Sequence, residues 1–125
     1  MKLFLAIAAA LAWLFGAALL FAPGPFYAPT GIVMTPQLAT IAQAHGATLV
    51  GIGVIDWLAR EADHRGLVAV LSGNLVVQTL SLVVVLRTMA LGAGAAVAPG
   101  VVIHVVLGSF FIFFLMKVRH AKQAV

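Results

Sequence analysis

Cysteine is absent from this chain, and acidic side chains nearly so: three Asp and Glu stand against seven Lys and Arg in 125 residues. Without thiols there is no disulfide framework, no thiolate metal site and no cysteine nucleophile. Charged residues of both signs make up only 8% of the chain, where an ordinary soluble domain carries about 25%. Catalytic signatures are missing too. There is no HExxH, no GxSxG, no glycine loop ahead of a lysine that could cradle phosphate, and no pair of carboxylates within an apolar run. The "GIG" at Gly51–Gly53 is too short to bind a dinucleotide and lies within an apolar segment. These absences point away from an enzyme.

What is present is oil: 64% of the residues are hydrophobic. A soluble domain of this size leaves too much of its surface in water to hide that share. The chain is therefore expected to be an integral membrane protein, with residues 1–125 forming one transmembrane domain. The net charge of +4 forms no stripe with interleaved aromatics, so no nucleic-acid partner is expected. Most basic residues instead flank apolar runs, where they set membrane topology.

The opening "MKLFLAIAAALAWLFGAALLFAPG" imitates a secretory leader, with a lysine, an apolar run and alanines. Its uninterrupted apolar stretch, residues 3–22, is twenty long. A leader's apolar region is about 7–15 residues, whereas crossing hydrocarbon takes about 20, so a membrane helix is expected here. "PGPFYAPTG" ends it, since Pro23, Pro25 and Pro29 oppose helix continuation. "TPQ" opens the second span, with Thr35 as N-cap and Pro36 at the first helical position. Four spans follow, at about 3–22, 36–58, 66–89 and 99–116. "READHRG" is a short polar turn, "LGAGAAVAPG" breaks the third span, and Pro99 opens the fourth. Backbone in lipid must satisfy its own hydrogen bonds. The expected fold class is accordingly all-α, four transmembrane helices in an up-down-up-down bundle.

Four crossings put both ends and the turn at 60–66 on one side. That side carries Lys2, Arg60, Arg65, Lys117, Arg119 and Lys122, and the other only Arg87. The positive-inside rule makes the first side cytoplasmic, in a bacterial inner membrane. Trp57 then fits the inner aromatic belt, and Phe26 and Tyr27 the outer one. The uncharged outer loop, 23–35, is expected along the interface or against a partner, and Arg87 is expected to snorkel to headgroups.

Ionisable and polar groups inside spans are the functional candidates. His45 lies roughly 13 Å and His104 roughly 7 Å from the outer starts of their helices, and Gln78 roughly 18 Å from the inner start of its own. In a core about 30 Å thick these depths are close enough for the three to meet. Asn74, Gln78 and Ser81 follow i, i+4, i+7 and share a helix face. Gly100, His104 and Gly108 share another, and small residues there let helices approach. Ala42, Gly46, Ala47, Gly51 and Gly53 offer a similar close-packing surface on the second span. The expectation is a polar seam of His45, Asn74, Gln78, Ser81 and His104.

Three readings of that seam stay open. In the first it fixes helix packing. In the second His45 and His104 are axial ligands of haem or a chlorin such as (bacterio)chlorophyll. In the third it is a path for protons or a small solute, although no carboxylate lies at depth. Asp56, roughly 30 Å along its helix, is expected at the inner surface in an exposed ion pair with Arg60 at i+4. Glu61, Asp63, His64 and Arg65 in the turn could in chemistry hold a metal but are expected to be solvated. The two halves share a weak echo, each with a second helix that begins at a proline and carries a histidine in its outer half; the sequences do not align.

The run "AHGATLVGIGVIDWLAR", a charged turn, "LSGNLVVQTLSLVVVLR" and "IHVVLGSFFIFFLMK" resembles small bacterial four-helix membrane proteins of uncharacterised families, over residues 38–117. The resemblance implies that Arg60, Asn74 and His104 belong to a common scaffold, and it implies no activity. The expected function is thus non-enzymatic: an accessory subunit of a larger inner-membrane complex of respiratory or photosynthetic type. Its partners would be the lipid bilayer and other membrane subunits or further copies of itself. "SFFIFFLM" on the fourth span would offer the contact surface.

Overall fold

The structure, a computed structural model, describes residues 1–121; Lys122, counted above among the basic residues of one side, lies outside them. The described residues form helices and turns with no strand. The first helix, α1 (Lys2–Phe21), is built from alanine, leucine and phenylalanine, and is apolar all round. Such a helix needs burial in protein or lipid on every side. It breaks at Ala22, whose φ of −141° leaves the helical region ahead of Pro23.

The loop that follows is more ordered than three prolines alone suggest. Pro23 takes the first position of a one-turn helix, α2 (Pro23–Tyr27), where a missing N–H costs nothing. A 3₁₀ turn over Ala28–Thr30 ends at Gly31, whose φ of +74° is left-handed. The loop is held back on α1, because Phe26 meets Phe15 edge-on at 6.1 Å between ring centroids and Tyr27 at 5.2 Å.

Thr35 caps α3 (Pro36–Ala59) as "TPQ" predicts, its Oγ1 accepting from the Leu38 amide at 3.2 Å. The next helix, α4 (His64–Thr88), begins two residues before the expected start, because Asp63 Oδ1 accepts from the Gly66 amide at 2.8 Å and makes the turn residue an N-cap. Beyond α4 the backbone widens into a π turn over Met89–Ala93, with Gly92 at φ +101°, and tightens into a 3₁₀ turn over Gly94–Val97. Last comes α5 (Ala98–Ala121), which runs past the expected end at 116. Lys117, Arg119 and His120 are polar but carry no helix breaker, and positive charge suits a helix C-terminus.

Among the described residues, four segments are long and apolar enough to cross a membrane, with 20, 24, 29 and 27 residues. At 1.5 Å per residue these reach roughly 30–44 Å, against about 30 Å of hydrocarbon. The fold is all-α and consistent with a multi-pass membrane protein.

The chain divides after Arg60 into two compact units, each a helical hairpin. In the first, α1 and α3 run antiparallel, and glycine sets their separation. A Cβ added to Gly16 would stand 2.9 Å from the Gly46 carbonyl oxygen, and one on Gly46 would stand 2.7 Å from that of Gly16. Gly53 receives the Trp13 indole, where an added Cβ would stand 2.5 Å from the ring. Backbones this close gain dispersion contacts that larger residues would forbid. In the second hairpin α4 and α5 are also antiparallel but fit less tightly. Added Cβ atoms at Gly100 and Gly108 would meet Val85 and the Gln78 Cβ at an ordinary 3.5 and 3.6 Å. Phe111, Leu115 and Val118, at i, i+4 and i+7, are the buried residues of α5, and Leu67, Leu71 and Asn74 those of α4.

Candidate functional site

The second hairpin brings two of the expected seam residues together. Gln78 on α4 and His104 on α5 meet at 2.7 Å between Oε1 and Nδ1, both half-buried. An amide oxygen only accepts, so this contact is a hydrogen bond with the imidazole proton on Nδ1. Gly108, one turn from His104, leaves room beside Gln78. Asn74, one turn from Gln78, is 7% exposed and donates from Nδ2 to the Val70 carbonyl at 3.1 Å. Ser81 is half-buried on α4.

His45 stands on α3 of the first hairpin, exposed and with no hydrogen-bond partner among the described residues. Its neighbour two residues earlier does the bonding: Gln43 donates from Nε2 to the Leu20 carbonyl of α1 at 3.2 Å. Thr40 and Thr48 turn their hydroxyls back to the carbonyls of Pro36 and Ala44 on their own helix, a common way to satisfy a hydroxyl in an apolar medium.

Asp56 and Arg60 are arranged differently from the exposed ion pair that their spacing predicts. Asp56 is 1% exposed, on the stripe of α3 that also buries Ala42, Gly46 and Gly53. Residue count placed it near the helix end correctly, but depth along a helix says nothing of which face a residue occupies. Arg60 turns to Trp57 instead. Its Nε donates to the Trp57 carbonyl at 2.8 Å, and its Cζ lies 3.3 Å from the indole centroid. Trp57 in turn packs on Trp13 at 5.6 Å between centroids.

No group of three or more His, Asp and Glu that could hold a metal ion occurs among the described residues. In the turn, Asp63 caps α4 and His64 is half-buried, with no hydrogen bond to Nε2. The contacts unforeseen from sequence are those of Gln43, Trp13 and Gly16. Each has its partner in the backbone or at a glycine of another helix, which leaves no mark in local spacing. One signal was available for Gln43: it lies three residues before Gly46 and so on the same face of α3.

Comparison with known proteins gives no match, whether to protein families, to curated proteins or to solved structures. The likeness to small four-helix membrane proteins therefore rests on the short motifs alone.

Proposed function

We propose that this chain is a non-enzymatic protein of a bacterial inner membrane, with both termini cytoplasmic, serving as an accessory subunit of a larger membrane complex. One observation carries the reading. Most described residues lie in helices fit to cross a membrane, and the last of these presents a large apolar surface. On α5, Phe110, Ile112, Phe113 and Met116 are each about half exposed, whereas single exposed apolar residues would need no explanation. The polar contacts support a packing role for the interior. Gln43 to Leu20 and Gln78 to His104 each tie one helix to its hairpin partner, a bond worth about 0.6–2 kcal/mol in a membrane. The distribution of Lys and Arg supports the orientation.

The test is the protein's size in mild detergent, taken from its native membrane. It should migrate in a complex with other integral membrane proteins, and Phe110→Ala with Phe113→Ala should release it. A parent chain that migrates alone at its own mass would defeat the accessory-subunit reading.

A second reading is favoured by the Gln78–His104 geometry. Metal-binding imidazoles are commonly oriented by a hydrogen bond from the other ring nitrogen, and Gln78 Oε1 accepts from His104 Nδ1 in that manner. Axial ligation of a haem or chlorin metal by His104 Nε2 would give a visible absorption band that disappears in His104→Ala. A colourless, folded preparation excludes it.

A further inference from the structure

We propose that Arg60 is a receptor for the phosphate of an anionic phospholipid headgroup at the membrane surface where α3 ends. A guanidinium has five N–H donors in a fixed plane. Here one of them, on Nε, is bonded to the Trp57 carbonyl, and Cζ lies 3.3 Å from the Trp57 indole centroid. Those two contacts fix the group in position and turn Nε back toward its own helix, which leaves the paired Nη1 and Nη2 donors as the outward edge. Arg60 has no other partner among the described residues. The obvious competitor one turn earlier, Asp56, is buried on the stripe of α3 that also holds Gly46 and Gly53. Asp63 has its carboxylate on the N-cap of α4.

A preorganised guanidinium edge matches two oxygens of a phosphate, and stacking on an aromatic face is a preference of arginine that lysine does not share. The setting selects a lipid over a free anion. Beside the guanidinium, Trp57 is 41% exposed, and Val54, Ile55 and Leu58 continue an exposed apolar surface down the helix. Acyl chains can lie on that surface and a soluble phosphate cannot use it.

The experiment uses the whole protein in dodecyl maltoside micelles, titrated separately with phosphatidylglycerol, phosphatidylcholine and inorganic phosphate. Tryptophan emission and native mass spectrometry give two readouts, since changing Arg60 alters the baseline of Trp57 itself. Phosphatidylglycerol should bind saturably and phosphatidylcholine markedly less tightly, while inorganic phosphate should neither change emission nor compete. Arg60→Gln should weaken phosphatidylglycerol roughly tenfold, the scale of a charge-assisted contact. Arg60→Lys keeps the charge but loses the stacked planar edge, and should recover only part of that loss. Arg87→Gln, in the other hairpin, should leave the phosphatidylglycerol-dependent change in tryptophan emission as it is in the parent. Equal binding of both lipids, or Arg60→Gln binding phosphatidylglycerol as tightly as the parent, overturns the proposal. Saturable binding of inorganic phosphate that displaces the lipid overturns the lipid assignment and makes this a free-phosphate site. If Arg60→Gln loses helicity by circular dichroism, Arg60→Lys decides alone, and parental affinity there refutes the stacked-edge geometry.

Discussion

Replacing Gly46 with alanine should force the first hairpin apart. The new Cβ would lie 2.7 Å from both the Gly16 carbonyl oxygen and the Leu20 amide nitrogen. Both are backbone atoms, so no rotamer change relieves the clash. Restoring an ordinary contact requires the helices to separate by roughly 0.7 Å. The Gln43–Leu20 bond, already 3.2 Å long, would then stretch to about 3.9 Å and be lost. Overpacking of this kind costs about 1–3 kcal/mol, and the lost bond adds about 0.6. Alanine returns about 0.8–1 kcal/mol through helix propensity, for a net destabilisation of about 0.5–3 kcal/mol. Gly51 is the control on the same helix. Nothing lies within 4 Å of a Cβ built there, so Gly51→Ala should collect the propensity alone and stabilise by up to about 1 kcal/mol. Both tryptophans of the chain, Trp13 and Trp57, sit in this hairpin and touch. Their emission during titration of mixed micelles with sodium dodecyl sulfate therefore reports its unfolding. Gly46→Ala unfolding at the same detergent fraction as Gly51→Ala, or a higher one, would refute the glycine-contact account.

Gly53→Ala should displace the Trp13 ring it faces, seen as a shift in emission, with a smaller stability change than Gly46→Ala, because the backbone atom it meets, the Ala9 carbonyl oxygen, stands at 3.0 Å rather than 2.7 Å. A double-mutant cycle of Gln78→Leu and His104→Leu, followed by far-ultraviolet circular dichroism because both tryptophans lie in the other hairpin, should return a coupling of about 0.6–1.7 kcal/mol; zero coupling would mean the bond contributes nothing. Thr35→Ala should cost about 0.5–2 kcal/mol through the lost cap of α3, measured as an earlier unfolding midpoint. The absence of native cysteine makes topology easy to read. Thr30→Cys should react with an impermeant maleimide from outside intact cells and Lys117→Cys only after lysis; the reverse pattern would invert the proposed orientation.

The sequence announced its helices more clearly than their faces. Proline, glycine and unbroken apolar runs mark the four long helices, and "TPQ" marks the start of α3 to the residue, because these signals are local. The starts and ends that shifted did so for reasons that were legible but ambiguous. Asp63 reads equally well as a turn residue and as a cap, and Lys117 marks the end of hydrocarbon without ending the helix. Faces depend on a partner that local spacing does not name. Gly46, Gly51 and Gly53 look alike in sequence, yet the first and third touch α1 and the second touches nothing. Depth placed Asp56 near a helix end but could not show that it is buried. Gln78 with His104 was accessible because both members are side chains of unusual type for an apolar segment. Gln43 was not, because its acceptor is a carbonyl that every residue carries.

The mutual insertion of Gly16 and Gly46 also bears on how the protein meets bilayers of different thickness. A smooth pair of helices could piston past one another to match a thinner or thicker membrane. Here a slide of one helical turn, about 5.4 Å, would carry Gly46 off its notch and onto a bulkier neighbour. The notch thus works as a detent that blocks axial travel. Thickness changes would then be met by tilting the two helices together.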